Sequence, residues 1–282
     1  MVAPGEKELR EVAAEVRARF RKAGEPARVA KYAKYFREGY DAYGLPDGAV
    51  AGERDRLVAA HGDAWGLASF LALGDLLVAD GKYEEVFLAF ALAEPFRGNF
   101  TRATLARFAR WLDAGVANWA HCDVLCGNLL GPMLAGGVAP LAAFAPWRRA
   151  PSKWRRRAVP VTMLALLKAK PDVKAFLAFV APLMTDEERV VHQGVGWFLR
   201  EAWKADAKPV ERFLGEWKDT APRLIFQYAT EKMTAAGKAR FRAAKKAAGP
   251  RKPRNKKAEP RKKATKKTAV AKAAPRAGKR RA

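Results

Sequence analysis

The feature that most constrains this chain is its apolar spacing. Up to about Phe241, nearly every segment repeats apolar residues at the three-to-four interval of an α-helix, and none alternates like a half-buried strand. Helices are expected over Glu6–Lys22, Pro26–Arg37, Val50–His61, Trp65–Ala79, Lys82–Phe96, Arg102–Ala114 and Trp119–Leu130. More follow over Lys153–Lys168, Asp172–Met184, Glu187–Lys204, Pro209–Lys218 and Pro222–Ala236. Gly, Pro and Asp mark the joints, as at Gly24-Glu25-Pro26 and the loop from Gly39 to Gly48. The stretch Gly131–Pro151 has room for at most one short helix, and Pro160 should kink the helix that contains it. So many short helices without a strict repeat point to an all-α fold. Antiparallel pairs stacked in a row would form a curved α-solenoid, with a compact bundle as the rival. A concave solenoid face suits a rod-shaped ligand.

Charge narrows the choice of ligand. Lys and Arg number 54 against 29 acids, a formal +25 over 282 residues. Of this, +16 lies in 244–282, where 17 basic residues face the single acid Glu259, leaving +9 for 1–243. The chain therefore divides into a folded domain, 1–243, and a Lys/Arg/Ala/Pro tail, 244–282. The tail has too little apolar surface to offset the entropy of ordering and is expected to be disordered. A surplus of this size points to a polyanion, first of all nucleic acid, with the tail binding phosphates by releasing counterions.

Other classes are excluded by what is missing. Cys122 and Cys126, one helical turn apart, read as small reduced core residues. With only His61, His121 and His192 to join them, neither a metal nor another cofactor is expected. Met1–Arg10 has no apolar signal core. The most apolar stretch, Trp65–Ala79, is short and contains Asp75, so no membrane partner is expected and the setting is intracellular and reducing.

Three helices carry residues that core packing does not require. In Asn118-Trp119-Ala120-His121-Cys122-Asp123, Asn118 is a candidate N-cap, and Trp119 and Asp123 share a face with Cys126 and Leu130. A carboxylate there is ordinarily a surface acid or a structural partner for an arginine. In Trp154-Arg155-Arg156-Arg157, Arg157 shares the side of Trp154, although an arginine run is ordinarily a solvated face. In Gly194-Val195-Gly196-Trp197-Phe198-Leu199-Arg200-Glu201, two glycines inside a helix hint at a close approach to the backbone. Trp197 and Arg200 face away from Phe198, and such a Trp is ordinarily a packing residue.

Taken together, NWAHCD (118–123), WRRRA (154–158), VGWFLREAWK (195–204) and TAPRLIFQYATEKM (220–233) resemble the HEAT-like-repeat alkylpurine DNA glycosylases, the bacterial DNA alkylation repair family. The resemblance runs from about Tyr32 to Lys232. It implies that Asp123 is the catalytic carboxylate and that Arg157 holds a phosphate next to the lesion. It also implies that Trp119 and Trp197 flank the deoxyribose, with Arg200 beside Trp197, and that Tyr35, or its neighbour Tyr32, approaches the lesion. The implied activity is hydrolysis of the N-glycosidic bond of cationic N3- or N7-alkylated purines in duplex DNA. The enzyme would be monofunctional, would leave an abasic site and would not draw the lesion into a deep pocket. The implied protein is a monomer of the bacterial cytoplasm, associated with the nucleoid through DNA. A nearly isosteric Asp123→Asn is expected to keep the fold, and Arg157 to matter more than Arg155. The alternative is a non-catalytic HEAT-like module that binds nucleic acid or acts as an architectural protein.

Overall fold

The computed structural model describes residues 4–79, 81–168 and 172–242. Its regular structure is helical throughout, with no strand among the described residues. In order the α-helices are α1 (Glu6–Ala23), α2 (Pro26–Ala33), α3 (Ala49–His61), α4 (Leu67–Ala79), α5 (Tyr83–Ala93), α6 (Arg102–Ala114) and α7 (Trp119–Leu125). They continue as α8 (Gly131–Ala135), α9 (Lys153–Met163), α10 (Val173–Val180), α11 (Arg189–Ala205), α12 (Ala207–Trp217), α13 (Arg223–Ala229) and α14 (Ala235–Ala239). The basic segment from Ala244, expected to be disordered, falls outside the described residues.

The helices are ordered by alternate packing. Each of α3, α5, α7, α9, α11 and α13 packs on the next of that series, while α4 packs on α6 and α10 on α12. One row of helices thus runs through the domain with others beside it, which is an all-α, solenoid-like arrangement. The core follows the apolar spacing. On α1 the buried residues are Leu9, Val12, Ala13, Val16 and Phe20, one stripe of an otherwise charged helix. Phe70, Phe90, Phe108, Phe198 and Phe226 are completely enclosed, and each such burial contributes up to about 3 kcal/mol. Asp75, the acid within the most apolar stretch, accepts a 2.7 Å hydrogen bond from the indole of Trp111. No helix among the described residues is long and apolar enough to cross a membrane.

Helix ends differ from expectation where proline intervenes. The segments 82–96 and 172–184 leave the α-form at Glu94 and Ala181, each just before a proline, and finish as 3-10 turns. The segment 119–130 widens into a π turn over Cys126–Leu130. Pro132 has no N–H to offer the carbonyl of Asn128, which accepts from Arg97 Nε instead, at 2.7 Å. Helix α9 runs through Pro160 to Met163 and then tightens into a 3-10 turn. Gly131–Pro151 is more ordered than expected: besides α8 it holds a 3-10 run, Leu141–Arg149, anchored by buried Phe144 and Trp147. Helix α2 stops at Ala33, short of Arg37, so Tyr35 and Phe36 lie on turning backbone.

The paired glycines of α11 are points of close contact. A Cβ on Gly196 would lie 2.5 Å from Tyr228 Cβ and 2.8 Å from the Ile225 carbonyl oxygen, both on α13. Gly196→Ala should therefore push these helices apart and lower unfolding free energy by about 1–3 kcal/mol in urea titration. Unchanged stability would mean that this contact is loose.

Candidate active site

Two side chains start the candidate site by shaping the first turn of α7. Asn118 Oδ1 accepts from the His121 backbone N–H at 3.0 Å, the capping bond expected of it. Its amide also meets His121 Nδ1 at 3.3 Å, while His121 Nε2 lies 3.0 Å from the Tyr83 carbonyl oxygen on α5. These partners assign a neutral imidazole that donates through Nε2. Burial lowers its pKa to about 4, against the opposing pull of the Tyr83 bond.

One turn beyond Trp119, Asp123 meets Arg157 of α9 in a two-pronged ion pair. Arg157 Nε donates to Oδ1 at 3.0 Å and Nη2 to Oδ2 at 2.9 Å. The third edge of the guanidinium, Nη1, donates to the Val190 carbonyl of α11 at 2.6 Å. Arg157 is 4% exposed, whereas the Asp123 side chain retains 16%. Gly194 makes room for the arginine stem, since a Cβ there would lie 3.2 Å from Arg157 Cγ. Burial pushes the Asp123 carboxyl above the usual aspartate range, and the Arg157 charge and hydrogen bonds oppose that rise. Paired with a permanent cation, Asp123 remains an anion at neutral pH. The two cysteines are free and buried just behind, their thiols directed at carbonyls of α9: Cys122 to Trp154 at 3.5 Å and Cys126 to Ala158 at 3.7 Å. Among the described residues, no three or more of His, Cys, Asp and Glu group to hold a metal ion.

The remaining predicted residues fall into two places. Trp119, 39% exposed, donates its indole N–H to the Tyr35 carbonyl at 3.2 Å and stacks on Phe36 with centroids 5.5 Å apart. Tyr35 is 57% exposed. Trp119 and Tyr35 are thus together, joined by Phe36 and by Tyr40, which stacks on Phe36 at 4.7 Å. Neither Phe36 nor Tyr40 is anticipated above, although Tyr32, Phe36 and Tyr40 recur at a four-residue interval. Trp197 is half-buried in a separate depression with Leu164, Leu167 and Lys168. Arg200 is taken up by Glu201 and Glu231, and no hydrogen bond or ring contact among the described residues joins either to Asp123. The arginine run is not a solvated face either. Arg155 pairs with Asp113, Arg156 with Asp186 and Arg157 with Asp123, so the guanidinium expected on a phosphate is enclosed by protein.

The sequence profile of the family described as DNA alkylation repair enzyme matches residues 16–233. The chain belongs to this family. A solved structure described as a predicted DNA alkylation repair enzyme from Enterococcus faecalis shares its fold: the TM-score is 0.61 over 75% of this chain and 97% of that one, at 20% identity. No curated protein sequence matches. Membership places this chain in DNA alkylation repair, with DNA as its target.

The buried imidazole has a consequence for stability. An unfolded histidine titrates near 6.5, whereas His121 in the fold titrates at about 4. Between these values the unfolded chain binds the proton, so this contribution is complete above the unfolded pKa and is lost as pH falls towards the folded one. The loss approaches about 3 kcal/mol. Urea unfolding at neutral pH and at about pH 5 should show a larger acid loss for wild type than for His121→Gln. Coincident losses would remove His121 as the cause.

Proposed function

We propose that this repair protein is a monofunctional DNA glycosylase hydrolysing the N-glycosidic bond of cationic N3- or N7-alkylated purines in duplex DNA, with Asp123 as its catalytic carboxylate. The observation that carries the reading is a carboxylate fixed by two hydrogen bonds from Arg157, still open on one side, one helical turn from a half-exposed indole. An alkylated purine already bears positive charge, so it leaves without a general acid. Positive charge then builds on the sugar, where a preorganised anion lowers the barrier. Water adds its oxygen to C1′ as the bond electrons pass to the purine, and the free lone pairs of Asp123 can accept the water proton. Trp119 offers a π-face to the sugar cation. In this reading Arg157 is a positioning residue for Asp123 rather than a phosphate ligand, and other cations meet the DNA backbone. Trp197 and Arg200 remain candidate DNA contacts on α11, as does Tyr35 at the rim. The solenoid row is taken as a HEAT-like array on which DNA lies.

Asp123→Asn tests the assignment. Single-turnover release of 7-methylguanine should slow about 10²–10³-fold. An asparagine also leaves Arg157 buried without its counter-charge, so the substitution is not neutral to folding as its shape suggests. The loss of stability should be about 3–5 kcal/mol, and the assay belongs at a temperature where circular dichroism shows the variant folded. A folded Asp123→Asn that excises at the wild-type rate would refute the role of Asp123.

The raised pKa of Asp123 sets a pH dependence. Protonation removes the anion, so excision should be lost as pH falls, with a midpoint above that of an ordinary aspartate. Arg157→Gln removes the opposing charge and should move this midpoint to still higher pH. An acid limb that ignores the substitution would uncouple Arg157 from the step.

A further inference from the structure

Between α2 and Tyr40 the chain turns instead of continuing as a helix. The Tyr35 N–H donates to the Tyr32 carbonyl at 3.0 Å and the Phe36 N–H to the Ala33 carbonyl at 3.1 Å. This turn sorts the side chains. Phe36 points inward, stacked on Trp119 and Tyr40 and edge-on to Tyr83. Together with Tyr32 these rings wall a cavity of about 710 Å³, which Tyr35 borders. Lys31, Lys34, Tyr35 and Arg37 are exposed and form an outward strip. The backbone of that strip is tied to the candidate site, since the Trp119 indole N–H donates to the Tyr35 carbonyl.

Lys31, Lys34 and Arg37 fall within one short stretch, and none of them makes an ion pair or a side-chain hydrogen bond among the described residues. The two amines lie over neighbouring rings, Lys31 Nζ 5.2 Å from the centroid of Tyr32 and Lys34 Nζ 5.1 Å from that of Tyr35. Glu38, the one acid from 31 to 40, joins no ion pair either. The cations around Asp123 are the reverse: Arg155, Arg156 and Arg157 are each closed by a carboxylate. Lysines at the C-terminal end of α2 also suit its dipole, but that gives no reason for Arg37, well beyond the last helical residue, Ala33. Exposed cations interleaved with tyrosines, beside a site whose target is DNA, are suited to phosphates and the sugars between them.

We infer that residues 31–37 grip the DNA backbone next to the reaction site through Lys31, Lys34 and Arg37, in place of the enclosed Arg157. This rests on DNA as the target of the family and on no step of the glycosylase chemistry. Each phosphate neutralised by the strip releases condensed counterions, so the contact carries a salt dependence of its own. Because the Tyr35 carbonyl holds the indole, a strand seated on the strip brings its sugars up to Trp119 at the surface, without any base entering the cavity behind.

Fluorescence anisotropy of the full chain on an unmodified duplex, measured over a range of salt, tests the assignment. Lys31→Gln, Lys34→Gln and Arg37→Gln combined should lower the slope of log affinity against log salt by about two to three and weaken binding on the order of tenfold. Arg102, Arg110 and Lys174 are likewise exposed and unpaired, on α6 and α10. Replacing these by Gln removes the same charge and should change the slope by less than about one. Equal losses from the two variants would reduce the strip to general charge and overturn the proposal, as would a strip variant with the wild-type slope. Single replacements, each expected to lower the slope by about one, decide the matter if the triple variant does not fold. Phosphate ethylation then locates the contact on a duplex holding one tetrahydrofuran abasic analogue. Ethylation beside the analogue should hinder binding of the wild type and no longer distinguish phosphates for the strip variant; an unchanged pattern would also overturn the proposal. Neither measurement needs base release, so a chain that binds through the strip yet excises nothing would sink the glycosylase reading and leave the strip standing.

Discussion

The ion pair between Asp123 and Arg157 is the interaction on which this domain turns. It joins α7 to α9 through two hydrogen bonds, and the third edge of the same guanidinium reaches the Val190 carbonyl on α11. Three successive helices of one row are thus tied at a single side chain. Removing either partner strands a charge in a poorly solvated place, at a cost of about 3–5 kcal/mol, whereas a well-packed apolar pair would be no less stable. Stability alone is a weak reason for such a pair. What it secures is an oriented anion at the edge of the row, with one side open.

The supporting contacts can be read the same way. Gly194 leaves space for the arginine stem, and the thiols of Cys122 and Cys126 fit where larger side chains would separate α7 from α9. His121 locks α7 to α5 through the Tyr83 carbonyl. The row α5, α7, α9, α11 therefore carries the candidate chemistry and the packing that fixes it, on consecutive helices. Arg155, Arg156, Arg157 and Arg200 are all engaged by acids within the fold, so they are less available to phosphates than their spacing suggests.

Much of this was legible in the sequence where a local signal governs the outcome. Arg102–Ala114 has the expected bounds because Thr101 and Thr104 form a capping box at its start. Asn118 caps α7 for the same kind of reason. What escaped depends on partners distant in sequence. The spacing that aligned Trp119 with Asp123 could not show that Arg157, 34 residues on, claims both carboxylate oxygens. Nor could it show that α2 ends at Ala33, since the segment to Tyr40 is held by ring contacts, stacked on Trp119 and edge-on to Tyr83, rather than by helical bonds. The π turn at Cys126–Leu130 was marked only by Pro132, whose effect depends on Arg97 to satisfy the carbonyl it abandons. The early tyrosines were visible as an alternative between Tyr32 and Tyr35, and both line the same cavity.

The central claim is that Asp123 serves hydrolysis of a glycosidic bond, and the products test it most directly. Duplex DNA carrying methylated purines, incubated with the full chain, should yield free 3-methyladenine and 7-methylguanine by chromatography with mass detection. The strand should remain intact at the abasic site, and borohydride should trap no covalent complex. A methyl group recovered on the protein, or an unmethylated base restored in intact DNA, would contradict the account.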